Sequence, residues 1–345
     1  MGITVLSLFD GISCGQIALE RAGIKVDRYY ASEIKKCAIE TTMRNYPGTI
    51  QIGDVRKAWY NDGILHTENG DFNVGKIDLL IGGSPCQNFS IARVSMGTKE
   101  IEGLNGEKSR LFYEYLRLKR TIEPEFFLLE NVKMKKKDEE ELNKYIGVNG
   151  IHINSKLVSY QLRDRIYWSN IKGITEPEDR KINFQDYKDT DEKYCSEFKV
   201  KRTPSRERMW NEGRGRQTAG NCTNITKAEK IGCLTRKQDR CPNSGLIECG
   251  GFCRYLTRRE IELAQTLPIG YTDNLSYSQM QDVCGDGWTV EVIAHIFSFL
   301  KKRDRGNVGG NCRRQADDAQ EKARSFKRVR IILKGIARVL RAWRC

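Results

Sequence analysis

Ile77-Asp78-Leu79-Leu80-Ile81 runs directly into Gly82-Gly83-Ser84-Pro85-Cys86-Gln87-Asn88-Phe89-Ser90, and this stretch decides the fold. The short apolar run reads as a strand buried on both faces, as in a parallel sheet. Two glycines then let the backbone turn sharply and approach a ligand closely. Pro85 fixes its own φ and biases Ser84 towards an extended conformation, so the next side chain is presented in a nearly set direction. That side chain is Cys86. A thiol at the carboxyl end of such a strand stands where open α/β sheets place their ligands.

The pattern repeats on either side of this stretch. Thr4–Phe9 is a strand followed by Asp10-Gly11 and a helix from about Gln16 to Ala22. Val26–Ala31 is a second strand ending at Ser32-Glu33, and its helix is closed near Pro47-Gly48. Ile50–Ile52 is a short third strand before Gly53-Asp54. After the Cys86 strand, a helix from about Ser109 to Thr121 precedes Phe126–Leu129, a buried strand ending in Glu130-Asn131. Strands alternating with helices predict an α/β, doubly wound, mostly parallel sheet with right-handed crossovers. Functional groups should then gather beyond the strand ends, at Asp10, Glu33, Asp54, Cys86 and Glu130.

Further along, Ile151–Tyr160 and Arg165–Asn170 read as hairpin strands joined through Gln161–Asp164. From about 171 to 251 periodicity fades and Gly, Asn, Thr, Arg and Cys accumulate, which predicts a smaller irregular domain. Regularity returns at Tyr255–Glu260, where Thr257 and Glu260 have capping-box spacing. That helix should reach about Leu267, and Trp288–Leu300 reads as a last amphipathic helix. The expected organisation is a catalytic body of residues 1–170 plus 252–302, a recognition domain 171–251 and a basic tail 303–345.

At 345 residues, 39% hydrophobic and 30% charged, the composition is that of a globular protein able to bury a substantial core. No apolar run approaches the roughly 20 residues of a membrane span. The first strand begins at Ile3, so no signal peptide is expected, and the chain reads as cytosolic or, in a nucleated cell, nuclear. Net charge is +14, of which the tail carries +9 (13 Lys/Arg against 4 Asp/Glu), leaving the body mildly basic at +5. In the tail, Phe326, Val329, Leu333, Ile336, Leu340 and Trp343 form an apolar helical stripe against a basic face. Such a helix could pack on the body, pair with a partner, lie on a membrane surface or add nonspecific DNA affinity. Six of the twelve cysteines lie between Cys195 and Cys253 without a Cys-x-x-Cys pair, which leaves zinc open but unsupported by spacing. His66, His152 and His295 share no motif.

The strand-end residues suggest a chemistry. G-x-G-x-x-G is absent after the first strand, where only Gly11 and Gly15 occur, which argues for an adenosine-bearing cofactor other than NAD. Glu33 is placed to grip two ribose hydroxyls, and Asp54 to accept from an adenine amino group. A thiolate at Cys86 beside a protonatable Glu130 suits attack on an electron-poor ring. Adding sulfur at cytosine C6, while a carboxyl protonates or shares a proton with N3, makes C5 nucleophilic. Arg163 and Arg165 could supply a positive field to the thiol and grip phosphate or the base's carbonyl.

Six blocks in order make the sequence similar to the DNA (cytosine-5) methyltransferases from Ile3 to about Lys302. They are Leu8-Phe9-Asp10-Gly11, Ser84-Pro85-Cys86-Gln87, Glu130-Asn131-Val132, Gln161-x-Arg163-x-Arg165, Arg254-Tyr255-Leu256-Thr257-x-Arg259-Glu260 and Gly285-Asp286-Gly287-Trp288-Thr289-Val290. The Gln after Cys86 is the bacterial and phage form. Val26–Glu33, Gly53–Arg56, Ile166–Asn170 and the Trp288 block resemble the de novo class of eukaryotic enzymes.

The resemblance implies the class I methyltransferase fold and S-adenosylmethionine as cofactor. The cofactor would be held by Phe9, Asp10, Gly11, Ile12, Ser13, Cys14, Glu33, Asp54, Val55, Arg56, Gly287 and Trp288. Asp286 departs from the usual Asn or Arg. Cys86, Glu130, Arg163 and Arg165 are the implied catalytic set, acting on a cytosine flipped out of duplex DNA. Residues 93–108 would be a mobile lid, and Arg202, Arg206, Arg208, Arg214, Arg216, Arg236 and Arg240 would contact phosphates or guanine edges. Double-stranded DNA is the expected partner, with a monomeric enzyme, no membrane, and a cognate restriction endonuclease left open. Two rivals stay in view: the same chemistry on tRNA, and a catalytically silent DNA-binding regulator.

Overall fold

A computed structural model describes residues 2–84, 110–201, 203–204, 224–236, 238 and 244–300. Seven strands form the main sheet: β1 (Ile3–Leu8), β2 (Val26–Ser32), β3 (Ile50–Gln51), β7 (Leu79–Gly83), β8 (Phe126–Val132), β9 (Ile151–Asn154) and β10 (Asp164–Ser169). Their spatial order is β3-β2-β1-β7-β8-β10-β9, parallel from β3 through β8, with β10 antiparallel to both β8 and β9. The chain winds outwards from β1 to β3, then returns to place β7 on the other side of β1. The order therefore reverses between β1 and β7, and the carboxyl ends of these two strands mark the place where such sheets bind ligands.

Period-two alternation explains how the sheet is held. Val5, Leu79, Ile81 and Leu128 point to one face, and helix α1 (Cys14–Arg21) and the last helix, Val290–Ser298, pack there side by side. Leu6, Leu8, Leu80, Phe127 and Leu129 point to the other, against α3 (Arg110–Ile122) and α4 (Lys136–Ile146) through Phe112, Tyr115, Leu142 and others. With both faces covered, the central strands read as unbroken apolar runs rather than alternating ones. Helix α2 (Lys36–Asn45) links β2 to β3.

Two features differ from the sequence reading. First, β4 (Trp59–Asn61), β5 (Ile64–Thr67) and β6 (Gly70–Asn73) form a separate antiparallel sheet between Asp54 and β7. Its first turn is Asp62-Gly63, both at positive φ, as a two-residue hairpin requires. Second, the strand expected from Ile151 to Tyr160 stops at Asn154 and gives way to a 3₁₀ turn over Ser155–Leu157, capped by the Asn154 side chain. In the described part of 171–251, Ile225, Ile231, Leu234 and Ile247 pack into the α1-side apolar cluster.

The C-terminal part of the body adds α5 (Glu192–Ser196), the β11–β12 hairpin (Ile247–Cys249, Phe252–Arg254), α6 (Arg258–Ala264), α7 (Tyr277–Asp286) and α8 (Val290–Ser298). Thr257 and Glu260 form the expected capping box on α6. Glu260 also grips Arg254 bidentately at 2.7 and 2.8 Å, with both side chains fully buried. No helix among the described residues is long and apolar enough to cross a membrane. Among the same residues, no group of three or more His, Cys, Asp or Glu is arranged to hold a metal.

Candidate active site

The loop after β1 has an unusual backbone. Phe9, Gly11 and Ser13 all lie in the left-handed region, at φ 58°, 62° and 57°. For Phe9 and Ser13 this costs on the order of 1 kcal/mol or more each, so neighbours must hold it. Asp10 N–H donates to Ser32 O at 3.0 Å, and Gly11 N–H to Glu33 Oε2 at 2.8 Å. Tyr29 hydroxyl donates to Asp10 Oδ1 at 2.7 Å, and Ser13 hydroxyl to Asp10 Oδ2. Burial pushes the Asp10 carboxyl up to about 6, against these hydrogen bonds, which favour the ionised form.

Because Ser13 turns back to Asp10, α1 begins without a side-chain cap. Its positive N-terminal end therefore keeps backbone N–H groups that suit a carboxylate. Ile12 is anchored in the core, and its carbonyl accepts from Tyr271 hydroxyl at 2.7 Å. Burial raises the Cys14 thiol to about 12, which makes it a packing group rather than a reactive one.

Glu33 and Asp54 stand at the ends of β2 and β3 as expected. Glu33 Oε1 accepts from Ile34 and Lys35 N–H at 2.8 Å each. With Gly11 on Oε2, three of roughly four acceptor positions are used and one on Oε2 remains. Asp54 caps the 3₁₀ turn Val55–Lys57, and the Arg56 guanidinium holds its carboxyl below the usual carboxylate range. The small sheet contributes Glu68, whose Oε1 accepts from Asp54 N–H at 2.6 Å. A side chain at Gly53 would strike Glu68, and Gly53 lies at φ 75°.

On the other side of β1, β7 and β8 set Gly83 opposite Glu130. Glu130 is 7% exposed, and its two oxygens are held from opposite sides. Arg165 Nε lies 3.0 Å from Oε1, and Trp288 Nε1 donates to Oε2 at 3.1 Å. Next to it, Asn131 Nδ2 donates to Ser84 Oγ at 3.0 Å, fixing the end of β7 two residues ahead of Cys86. Cys86, residues 93–108, the tail and all the expected recognition arginines except Arg236 lie outside the described residues. Arg236 is paired with Asp282 and Asp286.

Arg163 is placed differently from a phosphate or base ligand. It is 2% exposed and donates to the carbonyls of Leu234 (3.3 Å), Gly285 (3.3 Å) and Gly287 (2.7 Å) and to Cys233 Sγ (3.3 Å). Its guanidinium joins the arginine strand, the 224–236 segment and the last sequence block. That block does return to the first loop: a Cβ on Gly287 would lie 3.7 Å from Cys14 Sγ, and one on Gly15 3.8 Å from the Trp288 ring. Asp286 instead pairs with Lys35 at 3.2 Å, beside Glu33.

Phe9–Cys14, Glu33 and Asp54 thus follow the ends of β1, β2 and β3, while Glu130, Arg165 and Trp288 are joined to one another and Arg163 is bonded to the Gly287 carbonyl behind them. Sequence reasoning missed Tyr29, Glu68, Cys233 and Asp189; the last accepts from Thr257 hydroxyl and from Arg259 at 2.9 Å. Of these, Tyr29 alone lay in a block already singled out.

The sequence profile described as C-5 cytosine-specific DNA methylase matches residues 3–302. The chain is 36% identical over 129 residues to the Type II methyltransferase M.FnuDI of Fusobacterium nucleatum, covering 37% of this chain and 32% of that protein. It is 32% identical over 133 residues to the orphan methyltransferase M.SPRI of Bacillus phage SPR, covering 38% and 26%. These alignments span about a third or less of the curated relatives' length. Among solved structures, the S. pombe Dnmt2 methyltransferase superposes over 87% of this chain and 99% of its own, with TM-score 0.61 and 17% identity. The Entamoeba histolytica methyltransferase EhMeth covers 88% and 99%, with TM-score 0.62 and 16% identity. With a family match across seven-eighths of its length, the chain belongs to the C-5 cytosine-specific DNA methylases.

Proposed function

We propose that this protein transfers a methyl group to C5 of cytosine in double-stranded DNA, with Cys86 as nucleophile and Glu130 as the acid at N3. The observation that carries the reading is the double grip on Glu130 by Arg165 and Trp288, beside the Asn131–Ser84 clamp that leads to Cys86. Methyltransferases of this family use S-adenosylmethionine, and the residues at these strand ends fit it. The uncapped end of α1 suits an amino-acid carboxylate and the remaining acceptor position on Glu33 a ribose hydroxyl, while Asp54, whose oxygens both accept from Arg56, would exchange part of that pair for an adenine amino group. When bound, the cofactor supplies an electrophilic methyl on a sulfonium.

The chain's own residues do the rest. The Cys86 thiolate adds to C6 and Glu130 manages the proton at N3, so the ring becomes an enamine with a nucleophilic C5. After transfer, loss of the C5 proton and of the C6–sulfur bond restores the ring and the thiol. Arg165 fixes Glu130 and meets the base's carbonyl oxygen, while Arg163 braces the wall behind it. Residues 1–170 with 252–302 form the catalytic body in this reading, and 171–251 recognise sequence. A monomer acting in the cytoplasm or nucleus, with or without a cognate endonuclease, completes it.

The test is methyl transfer from labelled S-adenosylmethionine to duplex DNA and to tRNA, followed by bisulfite sequencing. Wild type should label DNA at cytosine C5 and form a stable adduct on DNA containing 5-fluorocytosine. Cys86→Ala should do neither while still binding DNA. Labelling of tRNA alone, or no adduct with cofactor present, would overturn the proposal.

A further inference from the structure

Cys233 belongs to none of the six blocks, yet both arginines of the paired motif converge on its sulfur. Arg163 Nη1 lies 3.3 Å and Arg165 Nη2 3.8 Å from Sγ. The backbone around the sulfur is fixed on both sides. Ile231 N–H donates to Tyr160 O at 2.8 Å, Leu162 N–H to Ile231 O at 2.9 Å, and Leu234 N–H to Gln161 Oε1 at 3.1 Å. Ile231 and Leu234 are buried, so the sulfur's place is set by the fold.

Two guanidiniums brought to one point repel each other, and a group between them is stabilised if it is an anion. Burial alone would raise this thiol, but the two cations outweigh it and hold it below the ordinary thiol range. A protonated thiol would donate to Leu234 O at 3.3 Å, but that carbonyl already accepts from Arg163, so ionisation leaves nothing orphaned. Among the described residues, Glu130 is paired with Arg165, Arg236 with Asp282 and Asp286, and Asp164 with Lys133.

We propose that Cys233 is a positioning residue whose thiolate serves as counter-anion to the arginine pair, presented to the active site by the recognition segment. Arg165 is then stretched between two anions, Glu130 at Nε and Cys233 at Nη2, which fixes its plane and through it the Glu130 carboxylate. The consequence for turnover rests on the methyltransferase reading above; the ionisation of the sulfur does not.

Iodoacetamide on the full-length protein separates the two. The thiolate displaces iodide to form a carbon–sulfur bond, and peptide mapping reads the rate at Cys233, which is partly exposed. An ordinary thiol reacts about 50-fold faster at pH 8.5 than at pH 6.5, following its thiolate fraction. Cys233 should rise clearly less steeply than that over the same range, and Arg165→Met should steepen the rise. A 50-fold rise in wild type would overturn the proposal whether or not the protein methylates DNA.

In turnover, Cys233→Ser keeps shape but not charge. It should lower kcat about 10-fold or more with an unchanged melting temperature and KM for S-adenosylmethionine, and Cys233→Asp should recover part of the loss. A serine variant with wild-type kcat would equally sink it.

Discussion

Gly83→Ala tests the junction between the acid and the cofactor block most directly. A Cβ built on Gly83 would lie 2.8 Å from Trp288 Nε1 and 3.1 Å from Glu130 Oε2, where ordinary contact begins near 3.4 Å. The indole must therefore retreat by about half an ångström, enough to stretch its 3.1 Å hydrogen bond to Glu130 beyond useful length. Gly83 is not among the glycines in the left-handed region, so alanine brings no backbone strain and gains about 0.4–1 kcal/mol from a stiffer unfolded chain. Against an overpacking cost of about 1–3 kcal/mol, the net destabilisation should be about 1–2 kcal/mol, a fall in melting temperature of about 1.5–3 °C for a body of this size. Turnover should suffer more, because a displacement of this order at a reacting group costs up to about 100-fold.

Gly82→Ala is the control. Its Cβ would meet the Leu8 carbonyl and the Tyr115 ring at 3.0 Å, on the sheet face away from Glu130. It should therefore destabilise at least as much while sparing kcat in the molecules that remain folded. Thermal melts and initial rates of methyl transfer on both variants decide the matter. If Gly83→Ala keeps wild-type kcat, or if both variants lose rate in proportion to stability, the Trp288–Glu130 contact has no part in catalysis.

Asp10 predicts a pH signature. Its folded carboxyl is raised from 3.8 to about 6, so the stability it contributes is present below about pH 4 and lost as pH rises through 6. Asp10→Asn should therefore gain on wild type by up to about 3 kcal/mol between pH 4 and pH 8, less in proportion to solvent access. A melting-temperature difference that stays constant with pH would contradict this. Glu260→Gln leaves Arg254 as a fully buried, half-paired charge and should cost about 3–5 kcal/mol; denaturant unfolding showing under 1 kcal/mol would count against the joint. Glu68→Ala frees the Asp54 amide and should weaken S-adenosylmethionine binding several-fold by calorimetry while leaving DNA affinity intact; unchanged cofactor binding would remove the small sheet from the site.

The parallel sheet was legible because its strands are buried on both faces and separated by helices of ordinary length, a pattern few other folds produce. The strand-end acids were legible for the same reason, since topology alone brings Asp10, Glu33 and Asp54 to one edge. The small sheet was overlooked although Asp62-Gly63 is a hairpin signal, because its strands are three or four residues long and mostly exposed. Helix α7 escaped notice because Ser276 and Gln279, its capping box, are followed by a polar face of low periodicity. Cys233 and Asp189 could not be found from sequence at all. Their partners are about 70 residues away and the contacts are single side chains, with no spacing to mark them.

In the reaction proposed above, the acid must be a carboxylate, and the reason lies in its two holders. Arg165 and Trp288 are both donors, and each occupies one acceptor position on a different oxygen of Glu130. A carboxylate offers roughly four such positions, so one remains on each oxygen. The ring that has taken up sulfur at C6 carries its proton on N3, and that proton can be accepted without releasing either holder. An amide at this position would turn its NH₂ towards one of the two donors, losing that holder and leaving a buried donor facing a donor. The grip is thus compatible with catalysis only for Glu or Asp, and the shorter Asp would withdraw from Trp288. Trp288 comes from the last sequence block and Arg165 also reaches Cys233 in the 224–236 segment, so in the proposed reaction Glu130 is the group on which both of these contacts bear.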